Sequence, residues 1–218
     1  MRNSLTRAEI VDAARDILSS GGAEALTMRA LAERLGAAPM GLYTHVASKE
    51  QLLDAALDDL LGDLLHGDLQ LLDEPNTLWT AVVVGFAERH LGLLVRNPWA
   101  VRVLLSRPVP GPAATAVGER YLAVALRGGA SARTAVEAFT GVLAVVYGAA
   151  GFLSSGGGAH DAQSREQVEE LIVETPSGMF PATEAVAGEL SRFGSPEQVH
   201  DILTALVEGL RAGDAARP

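Results

Sequence analysis

Six side chains near the start of the chain share one kind of chemistry. Thr27, Tyr43, Thr44, His45 and Lys49 are hydrogen-bond donors suited to phosphate oxygens, and Arg29 suits either a phosphate or a guanine edge. Each has an ordinary alternative: Tyr43 can pack, Arg29 can be solvated, and a lone His45 can sit on the surface or in a core. The anion reading gains weight because all six fall on one side of the same short motif. Other chemistries lack their residues. The chain has no cysteine, which excludes a disulfide scaffold, a zinc ribbon, an iron–sulfur protein and a thiol enzyme. Histidines 45, 66, 90, 160 and 200 have no ligand spacing among themselves, so no metal site is expected. There is no Gly-x-Ser-x-Gly elbow, Walker A loop, dinucleotide fingerprint or His-Glu-x-x-His helix. Gly156, Gly157 and Gly158 have neither a preceding strand nor a following Lys-Ser/Thr pair. No enzyme and no cofactor are expected.

The elements that must position the six donors are helices. Thr6-Arg7-Ala8-Glu9 is a capping-box signature. Ile10, Ala13, Ala14, Ile17 and Leu18 then mark one face up to about Ser19, and Gly21-Gly22 stops that helix. Thr27 caps a second, short helix with Met28, Leu31 and Leu35, ended by Gly36. A third starts near Pro39, a residue suited to a first turn, and carries Leu42 and Val46. Ser48 caps a fourth, with Gln51 at the capping-box position and a stripe of Leu52, Leu53, Ala56, Leu57, Leu60, Leu61, Leu64 and Leu65. Helices two and three with the tight turn at Gly36 fit a helix-turn-helix, with small Ala32 where the helices cross. On spacing alone, any tight helix hairpin fits as well.

Beyond Asp73-Glu74-Pro75-Asn76, read as a linker, the periodicity predicts helices near 77–95, 98–105, 112–127, 131–154, 162–174 and 196–212. The short apolar runs 82–84 and 101–105 lie inside longer helical patterns, so no strand is expected. The 218 residues allow one or two domains and are 48% hydrophobic, too apolar for a disordered chain. Net charge is −10, which argues against a nonspecific nucleic-acid coat. All of that excess lies after residue 50: residues 1–50 balance six basic against six acidic side chains. The N-terminus lacks a secretory pattern, so a cytoplasmic protein is expected. The densely apolar run from Phe139 to Leu153 falls short of the roughly 20 residues a spanning helix needs, and reads as a core or subunit-contact helix rather than a membrane segment.

The residues Thr27-Met-Arg-Ala-Leu-Ala-Glu-Arg-Leu-Gly36, Gly41-Leu-Tyr-Thr-His-Val46 and Ser48-Lys-Glu-Gln-Leu-Leu53 resemble, as a set, the N-terminal domain of the tetracycline-repressor family over about residues 5–55. A weaker resemblance over about 77–155, carried by Trp79, Arg96-Asn-Pro-Trp99 and Ser106-Arg-Pro108, is to the ligand-binding domain of the tetracycline repressors. The resemblance implies an all-α fold. An N-terminal three-helix helix-turn-helix DNA-binding domain, 1–50, would join through the long fourth helix to a helical-bundle ligand-binding and dimerisation domain, 51–218. It implies a homodimeric transcriptional regulator, usually a repressor, that binds a palindromic double-stranded operator and is released by a small effector.

The resemblance places the recognition helix at about 39–45, with DNA-contact positions at Pro39, Met40, Gly41, Tyr43, Thr44 and His45. Few of these carry hydrogen-bonding side chains, so readout would rest on Arg29, Thr44, apolar contact of Met40 or Pro39 with a thymine methyl, and DNA shape. The helices at 139–153 and 202–210 would pair with their symmetry mates as a four-helix bundle. Effector-pocket candidates from the matched regions are Leu65, Phe86, His90, Val103, Arg107, Phe139, Val142 and Tyr147; taken singly, most of the apolar ones suit core better, and His90 and Arg107 point more to a pocket because they lie on otherwise apolar helical stretches. The magnesium-binding histidine of the tetracycline repressors falls on Val103 and a polar drug contact on Leu65. A magnesium–tetracycline inducer is therefore disfavoured against a largely apolar molecule. The fourth helix, with Lys49 at its start and Leu64 and Leu65 at its end, would link pocket to DNA by a tilt that changes the separation of the two heads. The alternative reading is a small-molecule-binding helical protein without operator-specific DNA binding.

Overall fold

A computed structural model of the chain describes residues 5–66, 77–106, 111–154, 178–190, 192 and 194–216. The helix expected at 162–174, the linker at 73–76 and Arg107 lie outside the described residues. Every regular element among the described residues is a helix: α1 (Arg7–Ala25), α2 (Met28–Leu35), α3 (Pro39–Leu42), α4 (Lys49–Gly62), α5 (Trp79–Arg96), α6 (Pro98–Ser106), α7 (Pro112–Arg127), α8 (Ala132–Ser154), α9 (Pro181–Ala185), α10 (Ala187–Leu190) and α11 (Pro196–Ala215). They form two compact units. The first comprises Met1–Leu71 with Arg96–Tyr121, the second Leu72–Val95 with Leu122–Pro218.

In the first unit, local signals set the helix ends. Thr6 accepts from the Glu9 amide at 3.3 Å, and the Glu9 carboxylate accepts from the Thr6 amide at 2.8 Å, a closed capping box. The Thr6 amide first, and its hydroxyl second at 2.8 Å, donate to the ionised Glu9 carboxylate and hold its pKa below its ordinary value. α1 runs further than the Gly21-Gly22 signal implies. Gly22 does break it, with φ 69° and ψ −173°, and a further turn reaches Ala25. α3 is shorter than the 39–45 expectation. Ala38 has no side chain to cap it, and regular geometry ends at Leu42. The chain still coils through His45 and Val46, whose amides donate to the Leu42 carbonyl at 2.9 and 3.0 Å.

The unit's core is the apolar stripe of each helix: Ile10, Ala14 and Leu18 of α1, Leu31 of α2, Leu42 of α3, and Leu52, Ala56, Leu57 and Leu60 of α4. α6 packs on α1 and α4 with Trp99, Ala100, Val101 and Val103 buried. A bidentate ion pair adds to α1–α4 packing: Arg15 donates through its two terminal nitrogens to Asp59 and Asp63, each at 2.6 Å. Burial pulls the Arg15 pKa down, but its hydrogen bonds to Asp63 and then Asp59 outweigh it, so the net shift is upward.

In the second unit, α8 packs on α11. Ala135, Ala138, Val142, Val146 and Ala150 meet a stripe of Val199, Leu203 and Val207, all buried. The small residues let the helices come close: a methyl at Gly141 would lie 3.1 Å from a Leu206 methyl. Asp214 of α11 accepts from the Ser131 amide at 2.8 Å and hydroxyl at 2.6 Å, fixing the start of α8. Trp79 of α5 lies over Gly128, where an added methyl would come within 2.3 Å of it. α8 is long and apolar enough to cross a membrane, with 22% of its most apolar window buried. Its uncovered side is not uniformly greasy: Val136, Thr140, Ala144, Gly148 and Phe152 follow one another at helical spacing along it.

Candidate nucleic-acid interface and effector site

α2, the turn and α3 are built by three local devices. Thr27 adopts extended φ/ψ and its hydroxyl oxygen accepts from the Ala30 amide at 3.0 Å. Gly36 ends α2 in the left-handed region, φ 60° and ψ 32°, and the Ala37 amide returns to the Ala32 carbonyl at 2.9 Å. That geometry is a Schellman-type stop, which a Cβ-bearing residue resists. Ala32, buried at the crossing, keeps the two helices close. Pro39 then opens α3 at its first position, where the missing N–H costs nothing.

The predicted contact residues fall where such an assembly can meet a partner. Thr27, Arg29, Pro39, Met40, Gly41, Tyr43, Thr44 and His45 are all exposed, and Lys49 is half-buried at the first position of α4. Met40 is 78% exposed and Tyr43 49%, high values for side chains that a core would normally take. Two details refine the donor inventory. Thr27 spends an oxygen lone pair on the cap and keeps its O–H available. Thr44 donates its hydroxyl to the Gly41 carbonyl at 2.7 Å, so in this conformation it offers an acceptor rather than a donor. Ser48 caps α4 by accepting from the Gln51 amide at 3.2 Å. Gln51 reaches back to the Ala47 amide at 3.1 Å, one residue before the position a standard capping box uses.

The effector candidates divide between the units. Leu65, half-buried, and Val103, buried, belong to the first. Phe86, His90, Phe139, Val142 and Tyr147 belong to the second; Phe86, His90 and Val142 are buried there, Phe139 and Tyr147 partly so. His90 and Tyr147 meet edge to face, ring centres 5.6 Å apart at 84°. Phe86 lies one turn before His90 on α5 and carries the Arg89 guanidinium at 5.6 Å over its ring. Burial pushes the His90 pKa down to about 4 and the Tyr147 pKa up, so both rings are neutral at pH 7. Among the described residues, no group of three or more His, Cys, Asp or Glu could hold a metal ion.

Two positioning residues were missed by sequence reasoning. Arg15 ties α1 to α4, and Asp58 of α4 accepts from the Ala114 amide in the first turn of α7 at 2.9 Å. One faint signal pointed to Asp58: Gly111-Pro112 opens a helix with no side chain of its own to cap it.

Comparison with known proteins places this geometry in a class. Residues 10–56 match the family model of bacterial regulatory proteins of the tetR family, and residues 72–212 match that of the tetracyclin repressor-like C-terminal domain. The chain belongs to the tetR family of bacterial regulators. It is 37% identical over 125 residues to an HTH-type transcriptional regulator of Saccharopolyspora erythraea, covering 57% of this chain and 51% of that one. It is 35% identical over 125 residues to the HTH-type transcriptional repressor DrrR1 of Streptomyces coeruleorubidus, covering 55% and 43%. The chain thus spans about half the length of these curated relatives. The crystal structure of ActR from Streptomyces coelicolor in complex with actinorhodin superposes with a TM-score of 0.82 at 25% identity, covering 99% of both chains.

Proposed function

We propose that the chain is a ligand-responsive transcriptional regulator, a repressor that binds a palindromic operator as a homodimer. The observation that carries this reading is the outward set Arg29, Met40, Tyr43, Thr44 and His45 around a capped helix–turn–helix, with Lys49 at the adjoining helix start. Residues 1–50 act as the DNA-binding domain and 51–218 as the regulatory and dimerisation domain. Thr27, Tyr43, His45 and Lys49 contact phosphates and fix register, while Arg29, Thr44 and the apolar Pro39, Met40 and Gly41 surface meet base edges. The dimer forms through the uncovered faces of α8 (Val136, Thr140, Ala144, Gly148, Phe152) and α11 (Ile202, Ala205, Gly209).

The effector is a small, largely apolar molecule held among Phe86, His90, Phe139, Val142 and Tyr147. Their mix of rings, aliphatic wall and a few polar tips is what effector cavities use. The complex of ActR with actinorhodin, in a chain that superposes on this one, supports a small-molecule effector. The effector acts only through its differential affinity for the free and DNA-bound conformations; a coupling of about 1.4 kcal/mol loosens DNA tenfold. The test is retention of genomic DNA fragments by the purified protein and by Tyr43→Ala and Lys49→Ala. Salt-sensitive retention lost in both variants, with helicity unchanged, supports the reading. Equal retention by all three contradicts it.

A further inference from the structure

We infer that Asp58 is a coupling residue: it caps α7 from α4, and through that hydrogen bond the helices that carry the DNA contacts and the start of α7 report on each other. Gly111 precedes the first residue of α7 and its carbonyl accepts from the Thr115 amide at 3.1 Å, so Gly111 stands at the N-cap. A glycine has no side chain to satisfy the first-turn amides. The Asp58 carboxylate takes that role from a different helix, 56 residues away in sequence, accepting from the Ala114 amide at 2.9 Å. The arrangement admits no local cap beside it. A Cβ at Gly111 would lie 2.1 Å from one Asp58 carboxylate oxygen and 2.2 Å from its carboxyl carbon. Gly62, one turn further along α4, faces Ala113 at 3.8 Å by the same measure, so small residues keep this approach close.

The placement of the bond makes it more than a stabilising contact. Asp59, next in sequence, and Asp63 one turn on hold Arg15 of α1. Asp58, Asp59 and Asp63 therefore tie one stretch of α4 to α1 on one side and to α7 on another. α7 itself continues past Tyr121, its last residue in the first unit, to Arg127 in the second. A carboxylate at a helix N-terminus is also favoured by the helix dipole, so the bond is stronger than a neutral one. This inference rests on the DNA-binding function proposed above.

The vacated space allows a discriminating pair of variants. Asp58→Ala removes the shared cap. Asp58→Ala with Gly111→Ser gives α7 a cap of its own in the space the carboxylate leaves, without a tie to α4. The loss of a cap lowers Tm by about 2–4 °C in Asp58→Ala, and the double variant recovers most of it. Hydrogen exchange of the amides in the first two turns of α7 is then followed with and without the DNA fragment that the wild-type protein enriches from genomic fragments. In the wild type, DNA slows that exchange about fivefold or more. In the double variant, folded and capped, DNA leaves it unchanged. Equal slowing in the wild type and the double variant, or none in the wild type despite bound DNA, overturns the coupling role and leaves the function intact. A wild-type protein that enriches no DNA fragment overturns both.

Discussion

Replacing His90 by leucine should change the pH dependence of stability more than stability itself at neutral pH. His90 is 1% exposed on α5, with Phe86 one turn away and Tyr147 meeting its ring edge to face. Burial lowers its pKa from 6.5 to about 4. The unfolded chain, with an ordinary imidazole, takes up a proton below about pH 6.5 that the folded chain refuses until about pH 4. More protons on the unfolded state means that stability rises with pH across this window and is lost as pH falls. The full loss is about 3 kcal/mol, of which about 2 kcal/mol is already gone at pH 5. Urea unfolding, followed by helical circular dichroism at one fixed protein concentration, measures it at pH 7.5, 6.5, 5.5 and 5.0. The other four histidines are present in both proteins and cancel in the difference. The stability of wild type relative to His90→Leu should fall by about 2 kcal/mol between pH 7.5 and 5.0, with equal urea slopes. A difference that stays flat over that range would refute the buried neutral imidazole.

Other perturbations test separate links. Arg15→Met removes a bidentate but partly exposed clamp between α1 and α4, whose carboxylates are 46% and 44% exposed; the cost in urea unfolding should be about 1 kcal/mol and shrink in high salt. Gly36→Ala places a Cβ at φ 60° in the turn of the helix-turn-helix and should cost about 1–2 kcal/mol, read as a lowered Tm with the DNA contact residues unaltered. Lys49→Ala should weaken DNA binding uniformly across sequences. It should also reduce the slope of log affinity against log salt by about 2 per dimer, one phosphate in each half-site. An unchanged slope would remove Lys49 from the phosphate contacts.

The parts of the fold legible in the residues are those encoded within a few positions. Thr6 with Glu9, Thr27, Gly36 and Ser48 each mark a helix end through a bond spanning three or four residues, Pro39 marks one through its fixed φ, and each appears where expected. The apolar stripes of α1 and α4 likewise identify the buried faces. Length was harder to read where no single residue marks the end: α3 stops at Leu42 with Tyr43, not a glycine, at its C-cap, and α1 resumes past Gly22 because a glycine at positive φ bends a helix without preventing another turn. Long-range contacts left almost no trace. The Asp58–Ala114 and Asp214–Ser131 bonds join residues 56 and 83 apart, and an aspartate on a helix surface looks the same whether it is solvated or caps a neighbour. The His90–Tyr147 contact was visible only as two polar rings on apolar helices, since periodicity places a residue on a face without identifying what meets it.

The central claim, that the capped helix–turn–helix reads DNA as part of a dimer, is tested most directly by sequencing the genomic fragments the purified protein retains at physiological salt with excess competitor. A dimer of such heads retains a short palindromic site, its half-sites centred one helical turn or a multiple of it apart, about 34 Å per turn. Enrichment no better than that of the competitor DNA would contradict it.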